Sequence, residues 1–128
     1  MLIGAGCFRF IALFAIRLFP AIFFARIYPE YTAEFSQYNA LYLATFGFIG
    51  SLFAGILSDK LGQLYPKTNP YSLIINASCL LSIPIYALVF LKQDDFWFSM
   101  NLFGFANFIG EAWQPPFITM LQNSSKSS

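Results

Sequence analysis

The sequence predicts an all-α polytopic membrane protein with about four transmembrane helices. Of its 128 residues, 58% are hydrophobic, 20% are aromatic and only 10% are charged, whereas soluble domains carry about 25% charged residues. A soluble domain of this length cannot bury so much apolar surface. Apolar segments long enough to cross a bilayer recur four times between short polar stretches. We therefore expect a membrane domain over residues 1–122 and a polar, disordered tail over residues 123–128.

Composition also argues against several classes of function. The formal net charge of +1 provides no basic surface for nucleic acid, so no nucleic-acid partner is predicted. The chain has no His, and Cys7 and Cys79 are isolated in apolar sequence, so no metal site and no cofactor is predicted. Apart from Asp94 and Asp95 in a turn, no two carboxylates lie close in sequence. No catalytic residues, and hence no enzyme, are predicted.

The first two predicted spans cover residues 3–27 and residues 38–57. The first carries three arginines and a central Pro20, and those arginines are costly if they face lipid. Along the second, small residues recur at steps of three and four, which places them on one helix face. We interpret this face as a packing surface, and the alternative is a sliding surface in a moving protein. The face consists of Gly47, Ser51, Ala54, Gly55 and Ser58.

The last two predicted spans cover residues 71–91 and residues 96–121, joined by a charged turn. The third has a weakly polar face, which includes Asn76 and Tyr86 and indicates hydrogen bonding between helices. The fourth is expected to bend at Pro115 and Pro116 near its inner end. Its polar face contains Gly104, Asn107, Glu111 and Gln114.

The basic residues predict the orientation of the chain. If the segment around Asp59 is cytoplasmic, then Lys60, Lys67 and Lys126 all lie inside, as the positive-inside rule requires. The opposite connections contain more acidic than basic residues. We therefore predict a multi-pass protein with both termini in the cytoplasm.

Arg17 and Glu111 are ionisable residues predicted to lie inside the membrane at similar depths. The helical rise per residue, counted from the inner end of each span, places Arg17 about 10 Å and Glu111 about 13 Å deep in the membrane. Because a charge within a span costs about 3 kcal/mol, we predict that they face each other or a shared polar cavity, with Asn107 and Gln114 beside them. The alternative is that Arg17 extends to the inner interface while Glu111 bonds to its own helix neighbours.

The run from Gly55 to Gly62, which reads Gly-Ile-Leu-Ser-Asp-Lys-Leu-Gly, lies in the predicted loop between the second and third spans. It resembles the signature of the major facilitator superfamily, Gly-x-Leu-x-Asp-basic-x-Gly, in the cytoplasmic loop after the second helix of each six-helix half. Gln63 and Leu64 depart from the family, which often has basic residues there. In the fourth span, residues 110–113 and the two prolines that follow resemble the Gly-Glu element of spinster-like members.

In that family the loop acid belongs to a cytoplasmic latch that closes in one of two access states. The resemblance implies that Asp59 is this acid, that Lys60 is its basic neighbour, and that Gly55 and Gly62 are close-packing points. The first and fourth helices of each half line the central cavity. A full member has twelve helices, so the resemblance implies that this chain is a fragment, with helices seven to ten favoured, or assembles with further chains.

The predicted function is transmembrane transport of a small solute by alternating access, as part of a major facilitator-type secondary transporter. Its partners would be the lipid bilayer, the solute, a coupling ion, and the remaining transporter helices or a partner chain. The alternative is a four-span membrane scaffold or accessory subunit without transport activity. The transporter is favoured if the charged side chains within the spans face a cavity. The scaffold is favoured if those side chains extend to the lipid interface and the helices pack only through small residues.

Overall fold

A computed structural model describes residues 2–126, with side chains from Ile3 onward, and this part of the chain is helical without a β-strand. The all-helical fold is as predicted. Three of its helices are long and apolar enough to cross a membrane, which is compatible with a multi-pass membrane protein. The described elements are α1 (Leu2–Ile27), a 3-10 turn (Pro29–Tyr31), α2 (Thr32–Leu64), α3 (Pro70–Leu91), α4 (Phe96–Glu111) and α5 (Gln114–Lys126).

The chain divides into two compact units, Met1–Ser36 and Gln37–Ser128. In the first unit, α1 continues through Pro20 without interruption. Phe24 is only 1% exposed and stacks on Phe35 with ring centroids 4.8 Å apart. This aromatic pair joins the end of α1 to the start of α2 within the first unit.

Helix α2 is longer than predicted, and the predicted loop around Asp59 is part of it. Residues 58–62 are helical, and the helix ends at Leu64. One glycine costs a helix only about 1 kcal/mol, whereas Pro66 disfavours helix at the residue before it. A helix of 33 residues is about 50 Å long, which exceeds a bilayer core of about 30 Å. Asp59 and Lys60 can therefore remain helical outside the apolar layer.

Capping residues explain where α3 and α4 begin. The Asn69 side chain accepts a hydrogen bond from the Ser72 backbone N–H at 3.3 Å, and Pro70 occupies the first helical turn, where its missing N–H is harmless. The Asp95 side chain accepts from the Trp97 backbone N–H at 3.0 Å. The helix that they begin at Pro70 covers the predicted third span, and the charged turn follows it as expected.

The predicted fourth span over residues 96–121 is two helices rather than one. Helix α4 ends at Glu111, and α5 begins at Gln114, so the chain breaks just before the prolines that were expected only to bend it. Each proline ring clashes with the carbonyl four residues earlier, and the residue before a proline disfavours helix. Helix α5 then continues to Lys126 and includes residues 123–126 of the predicted polar tail. Ser127 and Ser128 lie outside the described residues.

In the second unit, α2 and α4 run parallel while α3 packs on α4 and α5. The Tyr42 hydroxyl donates to Asn101 Oδ1 at 2.8 Å, and further along both helices Gly50 lies against Phe108. Residues further along α2 thus contact residues further along α4, so the two helices run in the same direction. The predicted small-residue face is buried at Ala54, which is 1% exposed, and so includes a packing surface.

Gly104 allows the close approach of α4 to aromatic rings on α2. A Cβ there would lie 2.7 Å from Tyr42 Cδ2 and 3.0 Å from Phe46 Cε2.

We expect Gly104→Ala to destabilise the protein by about 1 kcal/mol, because the rings must shift. In a Tyr42→Ala background the same change should cost much less. Unfolding by SDS in dodecylmaltoside micelles, followed by circular dichroism, measures both; equal costs would show that Tyr42 is not the obstacle.

Candidate functional site

Three of the predicted cavity-facing residues take part in two hydrogen-bonded pairs near the end of α4 in the second unit. Asn107 is 4% exposed and Glu111 is 7% exposed. The Gln114 side-chain amide donates a hydrogen bond to Glu111 Oε2, and the Tyr86 hydroxyl donates to Asn107 Oδ1 at 3.1 Å. We call Tyr86, Asn107, Glu111 and Gln114 the polar cluster. Helices α3, α4 and α5 each contribute to it.

Two glycines give the polar cluster its space. A Cβ at Gly47 of α2 would lie 3.8 Å from Glu111 Cγ, and a Cβ at Gly110 would lie 3.5 Å from the Tyr86 hydroxyl. The Glu111 side chain therefore lies against α2, and the Tyr86 hydroxyl lies against the backbone of α4. Residues of four helices, α2 to α5, therefore lie around the cluster.

Arg17 belongs to the other unit. It lies in α1 and is exposed, whereas Glu111 belongs to Gln37–Ser128. Its proposed pairing with Glu111 stays a prediction. The Gln114 that donates to Glu111 belongs to α5 rather than to the helix of Glu111.

The run that resembles the transporter signature ends beside an open cleft. Within it, Ser58 is buried and donates to the Gly55 carbonyl oxygen at 2.8 Å, whereas Asp59 and Lys60 are exposed. Asp59 and Gly62 line the cleft, which has a volume of about 960 Å³. Its other walls come from the α2–α3 connection, the start of α3 and helix α5. They consist of Gln63, Pro66, Lys67, Thr68, Asn69, Pro70, Tyr71, Met120, Asn123 and Ser124.

The two glycines of this run are not close-packing points in the structure. A Cβ at Gly55 would lie 3.9 Å from Pro115 Cβ, and one at Gly62 would lie 3.7 Å from Pro70 Cγ, both ordinary van der Waals distances. Among the glycines of α2, the tightest approach is instead at Gly50, where a Cβ would lie 2.5 Å from the Phe108 carbonyl oxygen. Sequence reasoning missed Gly50, although it is three residues from Gly47 and therefore shares a helix face with it.

The second unit thus offers two polar arrangements, one buried and one open. The polar cluster contains one carboxylate among neutral hydrogen-bonding groups, and the cleft is lined by side chains that include Asp59 and Lys67. Among residues 2–126, no group of three or more His, Cys, Asp or Glu side chains is placed to hold a metal ion. The chain matches no family model, and its comparison with curated proteins and with solved structures finds no significant match.

Proposed function

We propose that the protein moves a small solute across a membrane by alternating access, as part of a major facilitator-type secondary transporter. In this proposal α1, α2 and α3 each cross the bilayer. The fourth crossing is discontinuous, made of α4 and the first turns of α5. Helix α4 has 16 residues and is about 24 Å long, so it needs part of α5 to reach across about 30 Å.

The observation that carries the proposal is the position of Asp59. Its carboxylate is exposed in the last turns of a membrane-length helix, and it lines a cleft between the end of α2 and the start of α3. The resemblance expects a latch acid at this point. The cleft leaves room for another helix end or a basic side chain to bind Asp59 when the latch closes.

A second support is the polar cluster beside an interrupted helix. Secondary transporters bind solutes and ions where a membrane helix is interrupted, because loose backbone groups and buried polar side chains meet there. The interruption between α4 and α5 adjoins Glu111 and Gln114. Both termini are placed in the cytoplasm in this proposal, since Lys60 and Lys67 then lie on the inner side.

The test is a transport assay on the full chain together with any polypeptide that co-purifies with it. The complex is reconstituted into liposomes, and uptake of a panel of labelled small solutes is measured. For any solute taken up, Asp59→Asn is expected to lower the initial rate by about tenfold, roughly the contribution of one hydrogen bond to a charged group.

Asp94→Asn is the matched control, because Asp94 is also an exposed acid next to a helix but lies at the opposite end of α3. We expect it to change uptake by less than about twofold. Equal losses in the two variants would reject the latch role of Asp59. Absence of uptake for every solute would favour the scaffold function, in which the chain only binds other membrane proteins.

A further inference from the structure

We propose that two groups of aromatic side chains, one at each end of the second unit, bind the two headgroup regions of a bilayer. The outer aromatic group is Tyr38 and Trp97, and the inner aromatic group is Tyr65 and Tyr71; the names follow the orientation proposed above. The inference rests on the membrane crossing of α2 and α3 and does not require transport. Tyr and Trp suit a headgroup region because their rings are apolar and their polar atoms reach water.

Contacts between helices place each aromatic group at one level. The Tyr38 ring on α2 packs edge-on against Trp97 at the start of α4, with ring centroids 5.2 Å apart. At the other end, a Cβ at Gly62 would lie 3.7 Å from Pro70 Cγ, so the end of α2 lies beside the start of α3. The inner aromatic group belongs to this junction, with one ring directly after α2 and the other in the first turn of α3.

The separation of the two levels matches the thickness of a bilayer. Along α2, the rise from Tyr38 to Gly62 is about 36 Å, and along α3 the rise from Pro70 to Leu91 is about 32 Å. The hydrocarbon core of a bilayer is about 30 Å thick, and the whole bilayer with its headgroups is about 40–45 Å thick. Both helical distances lie between these values, so both aromatic groups fall just outside the hydrocarbon core.

The surface between the two levels is suited to lipid chains. The sequence has no charged residue between Tyr38 and Ser58, and α3 contains none. Large apolar side chains on both helices are exposed over this distance, and lipid chains can cover them at a lower free energy than water can. They include Phe48, Leu52 and Ile56 of α2 and Leu73, Leu80 and Ile83 of α3.

Lys92 supports the position of the outer level. It is exposed and directly follows α3. Its Nζ atom lies 5.0 Å from the ring centroid of Phe98, which is the residue after Trp97. Lysines near the ends of membrane helices extend to the interface, where the ammonium can bind a lipid phosphate. A cation and aromatic rings therefore occur together at the outer end.

Bromine on lipid chains quenches tryptophan emission on contact, and the two tryptophans of the chain provide the measurement. The full chain is reconstituted into phosphatidylcholine vesicles brominated either near the headgroup or near the chain ends. In Trp113→Phe, which keeps Trp97, we expect bromine near the headgroup to quench at least about twofold more strongly than bromine near the chain ends. Trp97→Phe, which keeps the 1% exposed Trp113, should be quenched little by either lipid.

Two added tryptophans, each in a chain that carries both Trp97→Phe and Trp113→Phe, test the inner level and the middle of the bilayer. Tyr65→Trp should repeat the profile of Trp97. Leu80→Trp is the control, because Leu80 is 70% exposed and lies midway along α3; bromine near the chain ends should quench it about twofold more strongly. Circular dichroism shows whether the variants fold. If Trp113→Phe does not, Trp113 is retained throughout, and its emission, measured in Trp97→Phe, is subtracted.

The proposal is overturned if Trp97 or Tyr65→Trp follows the profile of Leu80→Trp, or if either is quenched by aqueous iodide alone. In those cases a deep profile for Leu80→Trp still shows that α3 crosses the bilayer, so the transport proposal stands. If Leu80→Trp is also quenched only by iodide, the crossing fails, and the transport proposal fails with it. Uptake is not measured in this experiment, so absence of uptake leaves the two aromatic groups in place.

Discussion

Replacing Trp113 by Ala is expected to lower the free energy of unfolding by about 3 kcal/mol. Its side chain is the largest that is fully buried in the described chain, and its ring lies 5.3 Å from that of Phe117. In soluble cores such a change costs about 3–5 kcal/mol. We expect the lower end of that range here, because lipid is apolar and the loss is mainly one of packing. SDS titration followed by circular dichroism measures the change.

Trp97→Ala is the control for this prediction. Trp97 is 43% exposed and packs edge-on against Tyr38 with ring centroids 5.2 Å apart. Its loss should cost about 1 kcal/mol, the energy of an aromatic pair. If both substitutions cost the same, Trp113 does not hold the break together, and the α4–α5 corner must be stabilised by other contacts such as the buried Pro116.

Apolar length and turn chemistry were sufficient to predict most of the helices. The third span ends at Leu91 as expected, because polar residues and the Asp95 cap follow directly. The predicted end of α2 at residue 57 is wrong, because the charged residues Asp59 and Lys60 do not begin a loop. Charge ends the apolar layer but does not end a helix, which stops only near Pro66.

The polar cluster could be predicted in part, for a similar physical reason. Helical periodicity places Asn107, Glu111 and Gln114 on one face; in the structure Gln114 donates to Glu111, and Asn107 and Glu111 are both buried on α4. Tyr86 is predicted only as a member of the polar face of the third span, because a single sequence does not show which residues of two packed helices meet. Its bond to Asn107 depends on how α3 packs on α4.

Gly50→Ala is expected to lower the free energy of unfolding by about 2 kcal/mol. The new Cβ would lie 2.5 Å from the Phe108 carbonyl oxygen and 3.3 Å from its carbonyl carbon. These are backbone atoms that no rotamer change can move, so overpacking costs up to about 3 kcal/mol. Because Ala has a higher helix propensity than Gly, about 1 kcal/mol of this cost is offset. The same SDS titration measures the result.

Gly55→Ala provides a matched control one and a half turns further along α2. There the Cβ meets Pro115 at 3.9 Å, so only the helix preference remains, and the variant should be as stable as the wild type or more stable by up to about 1 kcal/mol. Gly55 belongs to the run that resembles the transporter signature, and Gly50 does not. If Gly55→Ala preserves stability but impairs uptake, Gly55 is needed for a state other than this one, which is the outcome that alternating access predicts. If the two substitutions destabilise equally, α2 packs on α4 and α5 in a different register.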